Sequence, residues 1–362
     1  MEPIRIKTIS GEITYQRDYY NCRSCRHGES PWDEILGVEE LPHKLTKELM
    51  REIALYGQSQ SSFDEAREML KRAIGVDINE ETIREVTESI GKAVFEQDTS
   101  SADETLSNQH KIDTSHPNDT VIYVMIDGAA VNTRVEDENG STWRENKTVM
   151  VFSNKGMIKR KDGGHIITKK EYMAYIGRSE DFKKYVLDAA VRAGYGNAKE
   201  VVVIADGAAW IRNMCEEILP DAVQILDYYH LKENIYNYAK YKFNNDTAQY
   251  TPWAEAAAQK IWTGHVDELL GSLPDEEKLP PGTTNLKTYL THNRDKIHYT
   301  KYREKGYFIG SGSIESANKL IVQRRLKQAG MRWGADGAQA LLSLRAKKES
   351  NLWHHVHFPS AA

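Results

Sequence analysis

VVVIADGAAWIRNMCEEILPDAVQILDYYH, residues 201–230, decides the fold of this chain. An apolar, β-branched run (201–205) stops at Asp206-Gly207. Trp210, Ile211, Met214, Cys215 and Ile218 then recur at helical spacing. Pro220 ends that helix, and a second apolar run (222–226) stops at Asp227, three residues before His230. Strand, Asp, helix, strand, Asp is the order of a parallel βαβ unit, which gathers carboxylates at the C-terminal edge of its strands.

The first of these strands has an echo upstream. VIYVMIDGAA (121–130) ends in the same Asp-Gly-Ala-Ala as residues 206–209. Around it we expect a strand at 121–126 ending at Asp127, a polar turn at 137–141 and a strand at 148–152. A third, hairpin-linked strand is expected within 156–168, turning at Asp162-Gly163-Gly164, and an amphipathic helix at 180–193. Three antiparallel strands followed by two parallel ones make a mixed α/β sheet.

Downstream, residues 231–303 read as a helical insertion rich in Tyr, Trp and Ala. Helices are expected near 232–243, 252–263 and 284–298, with a break at Leu279-Pro280-Pro281-Gly282. Gly310-Ser311-Gly312-Ser313 then signals a helix start and places Glu315 in the first turn, where the helix dipole favours an ionised carboxylate.

Upstream, residues 45–95 carry three amphipathic helices separated by short turns. That order fits either a helix-turn-helix or a plain helical bundle. The third helix offers only Arg84 and Lys92 to phosphates among several glutamates, which favours the bundle. Residues 97–120 are polar and aperiodic, a linker or surface loop. Residues 1–37 read as short strands around Cys22-Arg-Ser-Cys25, with His27 close by. The C-x2-C pair is either half of a tetrahedral zinc ligand set or two reduced cysteines in a loop.

Three cysteines are too few for a disulfide scaffold, and neither a long apolar run nor a signal-peptide core is present. A reducing, cytoplasmic location without a membrane partner is expected. The net charge of −5 conceals a polarity. Residues 29–104 hold 19 acidic against 8 basic side chains and residues 315–349 hold 3 against 8; local patches set phosphate affinity, so the composition neither proves nor excludes a nucleic-acid partner. No P-loop, G-x-S-x-G or H-E-x-x-H occurs.

Asp127, Asp206 and Glu315, spaced 79 and 109 residues apart, form the sharpest constellation. Mg²⁺ or Mn²⁺ takes oxygen ligands and keeps several waters, so a few convergent carboxylates suffice for a two-ion phosphodiester site. Each residue has an ordinary alternative: a turn or N-cap aspartate, a capping-box glutamate. Asp227 and His230 form a secondary pair, for phosphate orientation or proton relay, or simply for capping and packing. Arg324, Arg325, Lys327 and Arg332 form either a solvated helix face or a phosphate clamp, with Trp333 available for stacking.

The ordered series VMIDGAA, WRENK, VVIADGAAWI, ILDYYHLKENI and GSGSIESANKLIVQRRLKQAGMRW resembles bacterial insertion-sequence transposases of the DDE, RNase H-like type, distantly related to the Mutator group. The likeness runs from about Cys22 to Leu352. It implies an RNase H-like core (121–230 and 304–352) interrupted by the helical insertion (231–303). It also implies a helical DNA-binding domain (38–96), a linker (97–120), a zinc-ribbon-like remnant (1–37) and a tail (353–362). The implied activity is metal-dependent cleavage and strand transfer at the inverted-repeat ends of a mobile element, by a homodimer or higher multimer on double-stranded DNA at the nucleoid. Asp127, Asp206 and Glu315 fall on the DDE triad, and Asp227 and His230 on the D-x2-H element of Mutator-like relatives. Such relatives commonly open with two C-x2-C pairs where this chain has one, so the expectation is either a mis-assigned first Met or an N-terminally truncated copy, with Zn²⁺ at Cys22 and Cys25 in doubt. An RNase H-like structure-specific nuclease and a non-catalytic DNA-binding relic are the competing expectations.

Overall fold

The computed structural model describes residues 2–35, 37–38, 41–115, 117–138, 140–161, 165–275, 279–280 and 283–356. The turn expected at Asp162-Gly163-Gly164 and the Pro281-Gly282 part of the expected break lie outside them. At the N-terminus β1 (Glu2–Thr8) and β2 (Gly11–Arg17) form an antiparallel hairpin. The two-residue strands β3 (Tyr20–Asn21) and β4 (Gly28–Glu29) frame the cysteine loop. The short helix α1 (Pro31–Ile35) buries Asp33 against Arg17 and the Tyr15 hydroxyl.

Helices α2 (Lys47–Ser59), α3 (Phe63–Ile74) and α4 (Glu80–Ser107) follow. Thr46, Ser62 and Asn79 cap their N-termini through side-chain oxygens, and Gly75 ends α3 at φ 77°. Leu49, Ile53, Leu70, Ile83 and Ile90 are buried where these helices meet. The linker expected from residue 97 is corrected here: α4 continues unbroken to Ser107. The residues that hide its periodicity are polar because they have protein partners. Asp98 pairs with Lys347 at 2.5 Å, and Ser101 and Thr105 donate to the buried carboxylate of Asp188 at 3.1 and 2.7 Å. The described residues of 112–120 contain no regular element, as expected.

The central sheet has strand order β11-β10-β5-β6-β9. β5 (Val121–Asn132), β6 (Trp143–Ser153) and β9 (Lys170–Ile176) are antiparallel. β10 (Glu200–Ala205) lies parallel to β5, and β11 (Val223–Leu226) parallel to β10. The third antiparallel strand is therefore 170–176 and not part of 156–168. Tyr172, Met173 and Ala174 are buried there, whereas β7 (Met157–Lys159) and β8 (His165–Ile167) form a separate hairpin exposing Ile158 and Ile166. Tyr123, Met125, Met150, Phe152, Val202 and Ile204 face one side of the sheet, and Ile122, Val124, Val149, Val151, Val201 and Val203 the other.

Helices α5 (Ser179–Arg192) and α6 (Ala209–Ile218) cover the second side. The insertion supplies α7 (Tyr228–Lys242), α8 (Thr247–Trp262), α9 (Val266–Ser272), α10 (Leu286–His292) and α11 (Tyr299–Glu304). Then come α12 (Gly312–Asn318), a π-helical turn (Lys319–Gln323), α13 (Arg324–Leu326) and α14 (Ala335–Glu349). The apolar residues of α2–α4, α7–α12 and α14 join the first face of the sheet in one continuous core. Among the described residues no helix is long and apolar enough to cross a membrane.

Candidate metal centre

Strand register builds the site. Met125 is level with Ile204, and Ala205 with Leu226, so continuing both ladders sets Asp127, Asp206 and Asp227 side by side. Asp206 and Asp227 lie just past the ends of β10 and β11, and Asp127 lies within β5, which runs on to Asn132 instead of ending at Asp127 as expected. Neighbouring strands are about 4.8 Å apart. The alternation that sends Tyr123, Met125, Val202 and Ile204 into the first face sends these three aspartates the same way. Gly207 makes the exit from β10: at φ 91°, a Cβ there would sit 2.6 Å from the Leu226 side chain.

Helix α12 lies across these strand ends. The backbone N–H of Ser311, its N-cap, donates to Asp227 Oδ2, and the Asn318 amide donates to Asp127 Oδ2 at 2.6 Å. Seven helical steps span about 10 Å, close to the two inter-strand gaps being bridged. Residues 311, 315 and 318 share one helix face, so Glu315 lies between the two anchors. The capping-box alternative for Glu315 is set aside, because the Ser311 amide is already bonded to Asp227.

Asp227 is first a clasp. It is fully buried, and its Oδ1 accepts the Tyr229 and His230 amides at 2.6 and 2.9 Å, capping α7. Three donors occupy three of the roughly four lone-pair sites of a carboxylate and leave one open. Ligand atoms of Asp227, His230 and Glu315 lie within 4.8 Å of one another, the one such group of three or more His, Cys, Asp or Glu among the described residues. His230 Nδ1, 3.9 Å from Asp227 Oδ1, is buried without a hydrogen-bond partner. An unpartnered imidazole nitrogen beside two carboxylates fits a bound cation, and these three residues could hold a metal ion.

Structure and sequence thus divide the site differently. Glu315 joins Asp227 and His230, the pair expected to be secondary, while Asp127 and Asp206 lie along the same edge outside that group. Asp127 is electrostatically coupled to both parts. Burial holds its carboxyl above the ordinary range and Asp206 adds to the rise, whereas the Gly128 and Asn318 donors and His230 oppose it. The insertion is tied to the same edge by tyrosines: Tyr289 donates to the Asp206 carbonyl at 3.0 Å and Tyr299 to that of Leu226 at 2.8 Å. Sequence reasoning missed Ser311, Asn318, Tyr289 and Tyr299. Only the helical spacing of 311, 315 and 318 could have flagged the first two.

The expected DNA surface is partly corrected. Arg324, Lys327 and Arg332 are exposed, but Arg325 is buried. Its guanidinium donates to the carbonyls of Gly57 and Ser61 at 3.3 and 3.2 Å and sits between the rings of Phe63 and Trp333, 4.6 and 4.9 Å from their centroids. Trp333 is no stacking platform either. It is buried edge-on against Phe63, with its backbone bridged to Asn132 and Arg134. Both residues are consumed in joining α2 and α3 to the sheet. Cys22 and Cys25 are exposed free thiols in a tight loop, where backbone and side-chain hydrogen bonds from Cys25 lower the Cys22 pKa. Among the described residues they gather no third ligand.

Three relatives cover nearly all of the chain. They are UPF0236 proteins of Caldanaerobacter subterraneus subsp. tengcongensis (strain DSM 15242 / JCM 11007 / NBRC 100824 / MB4), 23%, 22% and 22% identical over 94% of this chain. The chain spans 66%, 66% and 63% of their lengths, just under two thirds. The name of the first joins eleven loci of that genome, the second four and the third two. The model of the uncharacterised protein family UPF0236 matches residues 1–360, and the chain belongs to that family.

Proposed function

We propose that the protein is a DDE-type transposase with an RNase H-like core, cutting and rejoining DNA at the inverted-repeat ends of an insertion sequence. The observation that carries this reading is the row Asp127, Asp206, Asp227 along one sheet edge, crossed by the helix that bears Glu315. The strand order supports it, with three antiparallel strands followed by two parallel ones and a helical insertion before the last carboxylate. The multi-locus names of the relatives fit a mobile element.

Mg²⁺ or Mn²⁺ would be held by Asp227, His230 and Glu315, with Asp127 and Asp206 alongside. When bound, such ions supply charge stabilisation for in-line attack on a phosphodiester. The chain's own part is placement. α12 fixes Glu315 between its two anchors, Asn318 orients the Asp127 carboxylate, and Asp227 holds the first turn of α7 so that His230 faces the carboxylates. The capped helices α2–α4 and the exposed Arg324, Lys327 and Arg332 are the proposed DNA-binding surface. With one C-x2-C pair, zinc at Cys22 and Cys25 needs ligands from elsewhere.

The test is cleavage of DNA carrying the inverted repeats that flank the gene, with Mn²⁺ or Mg²⁺. Asp127→Asn, Asp206→Asn and Glu315→Gln are each expected to lose more than the roughly 10- to 100-fold typical of an outer-shell change, with joining lost in parallel. Cleavage that survives Glu315→Gln rejects the assignment, and cleavage without joining makes the protein a nuclease.

A further inference from the structure

Tyr229 stands beside the metal centre and nothing in the placement of the carboxylates uses its ring. It is 60% exposed, although its neighbours Asp227 and His230 are buried and half-buried. The ring is nonetheless held. It lies against Gly310, where a Cβ would come within 2.5 Å of it, and meets the Tyr228 ring edge-on at 5.8 Å. A rigid aromatic face is thereby presented to solvent at the Gly310–Ser311 turn that leads into the Glu315 helix.

Tyr229 also begins a stripe. On α7, residues 229, 232, 236 and 240 recur at helical spacing, giving Tyr, Lys, Tyr, Lys along one side. Lys232 and Tyr236 are part-exposed, with the Lys232 ammonium 5.8 Å from the Tyr236 ring centroid, and Lys240 is exposed. Glu233 is interspersed with them, and Glu255 of α8 lies near enough to Tyr236 to act on its hydroxyl. Aromatic rings alternating with cations match a nucleic-acid strand, whose bases stack while its phosphates pair. Eleven helical steps cover about 16 Å, the reach of a few nucleotides.

We propose that this face of α7 is the track of the DNA strand whose phosphodiester reaches the carboxylates, with Tyr229 stacking on the base beside the reacting phosphate. The inference rests on the activity proposed above and adds the path of the substrate to it. The reacting strand is unpaired where it meets Tyr229, since a base within a duplex has no free face to offer.

The full chain is titrated, in Ca²⁺, with a duplex bearing a short single-stranded 3′ arm and 2-aminopurine at the junction. Wild type is expected to quench the 2-aminopurine emission. Tyr229→Ala is expected to abolish the quenching and weaken binding about five- to 150-fold, the span of one base–aromatic stack. Tyr229→Phe retains both. Replacing Lys232 and Lys240 together by Ala lowers the slope of log affinity against log salt by about 1.4. Unquenched emission with wild type, wild-type binding by Tyr229→Ala, or an unchanged salt slope would each overturn the track. Cleavage of end DNA in Mn²⁺, wild type against Glu315→Gln, is read separately. Cutting that needs Glu315 but not Tyr229 rejects the track alone, whereas arm binding that needs Tyr229 without any cutting rejects the activity alone.

Discussion

Asp127 shows what a single residue contributes and what it costs. Its carboxyl lies among groups that disagree, with burial raising its pKa and the Gly128 and Asn318 donors opposing. The folded protein holds this proton more tightly than the unfolded chain does. Stability is therefore fully present below the ordinary aspartate pKa and declines as pH rises from there through the raised value. Asp127→Asn removes that loss. Without divalent cations the variant is expected to melt above wild type near neutral pH and to converge with it in acid. Mn²⁺ is expected to raise the wild-type melting temperature and to move the variant less, because a cation that binds only the folded state stabilises by mass action. Melting curves across pH, with and without Mn²⁺, check this. A variant less stable at neutral pH would mean that the ionised carboxylate is a net stabiliser.

Among the elements, the turn from α12 into α13 decides which cations face solvent. Adjacent residues on a helix point about 100° apart, and here Arg324 turns to solvent while Arg325 turns inward. Arg325 and Arg345 point inward, where burial lowers the pKa of each to about 10, leaving both charged at neutral pH. Arg325 satisfies carbonyls at the C-terminal end of α2, and Arg345 satisfies Ile321 at 2.8 Å in the π-helical turn. Arg325→Ala orphans the buried Gly57 carbonyl, releases that of Ser61 and is expected to cost about 1–3 kcal/mol in urea unfolding. If the proposed DNA binding holds, its salt dependence is expected to stay unchanged in this variant. Arg324→Ala, Lys327→Ala and Arg332→Ala are expected to do the reverse: stability within about 0.5 kcal/mol, and a salt slope reduced by about 0.9 for each phosphate no longer neutralised. The run QRRLK displays its charge in the sequence. Which guanidinium is consumed inside depends on the π turn and on what packs there, and neither has a local signature.

For the molecule as a whole, the helices of 47–107 and the sheet are not separable. Gly91 on α4 meets α14 so closely that a Cβ would lie 2.4 Å from the Ala340 carbonyl oxygen. Ile83, Val86, Ile90 and Val94 belong to the same core as the sheet residues Tyr123 and Met125. A fragment of residues 41–107 would expose that face. It is expected to keep helical far-UV circular dichroism while lacking dispersed amide resonances and a cooperative melt. A sharp melting transition in the fragment would show that the helices form an autonomous unit.

By itself the sequence determined the parallel βαβ unit, the strand end at Asp206 and the helix start before Glu315. These are signals of local periodicity and turn chemistry, carried within ten or twenty residues. The strand expected to stop at Asp127 instead runs on to Asn132, because β6 stays paired with it. Tertiary structure alone decided three further matters. α4 extends through a stretch whose polarity looked like a linker, because its hydroxyls and carboxylates are matched by α5 and α14. Glu315 groups with Asp227 and His230, because Ser311 and Asn318 pin α12 across three strands. Arg325 and Trp333 left the surface, because carbonyls and rings from residues 57–63 receive them. Each depends on a partner distant in sequence, and a pattern within a segment reports that a residue is polar without reporting what it meets.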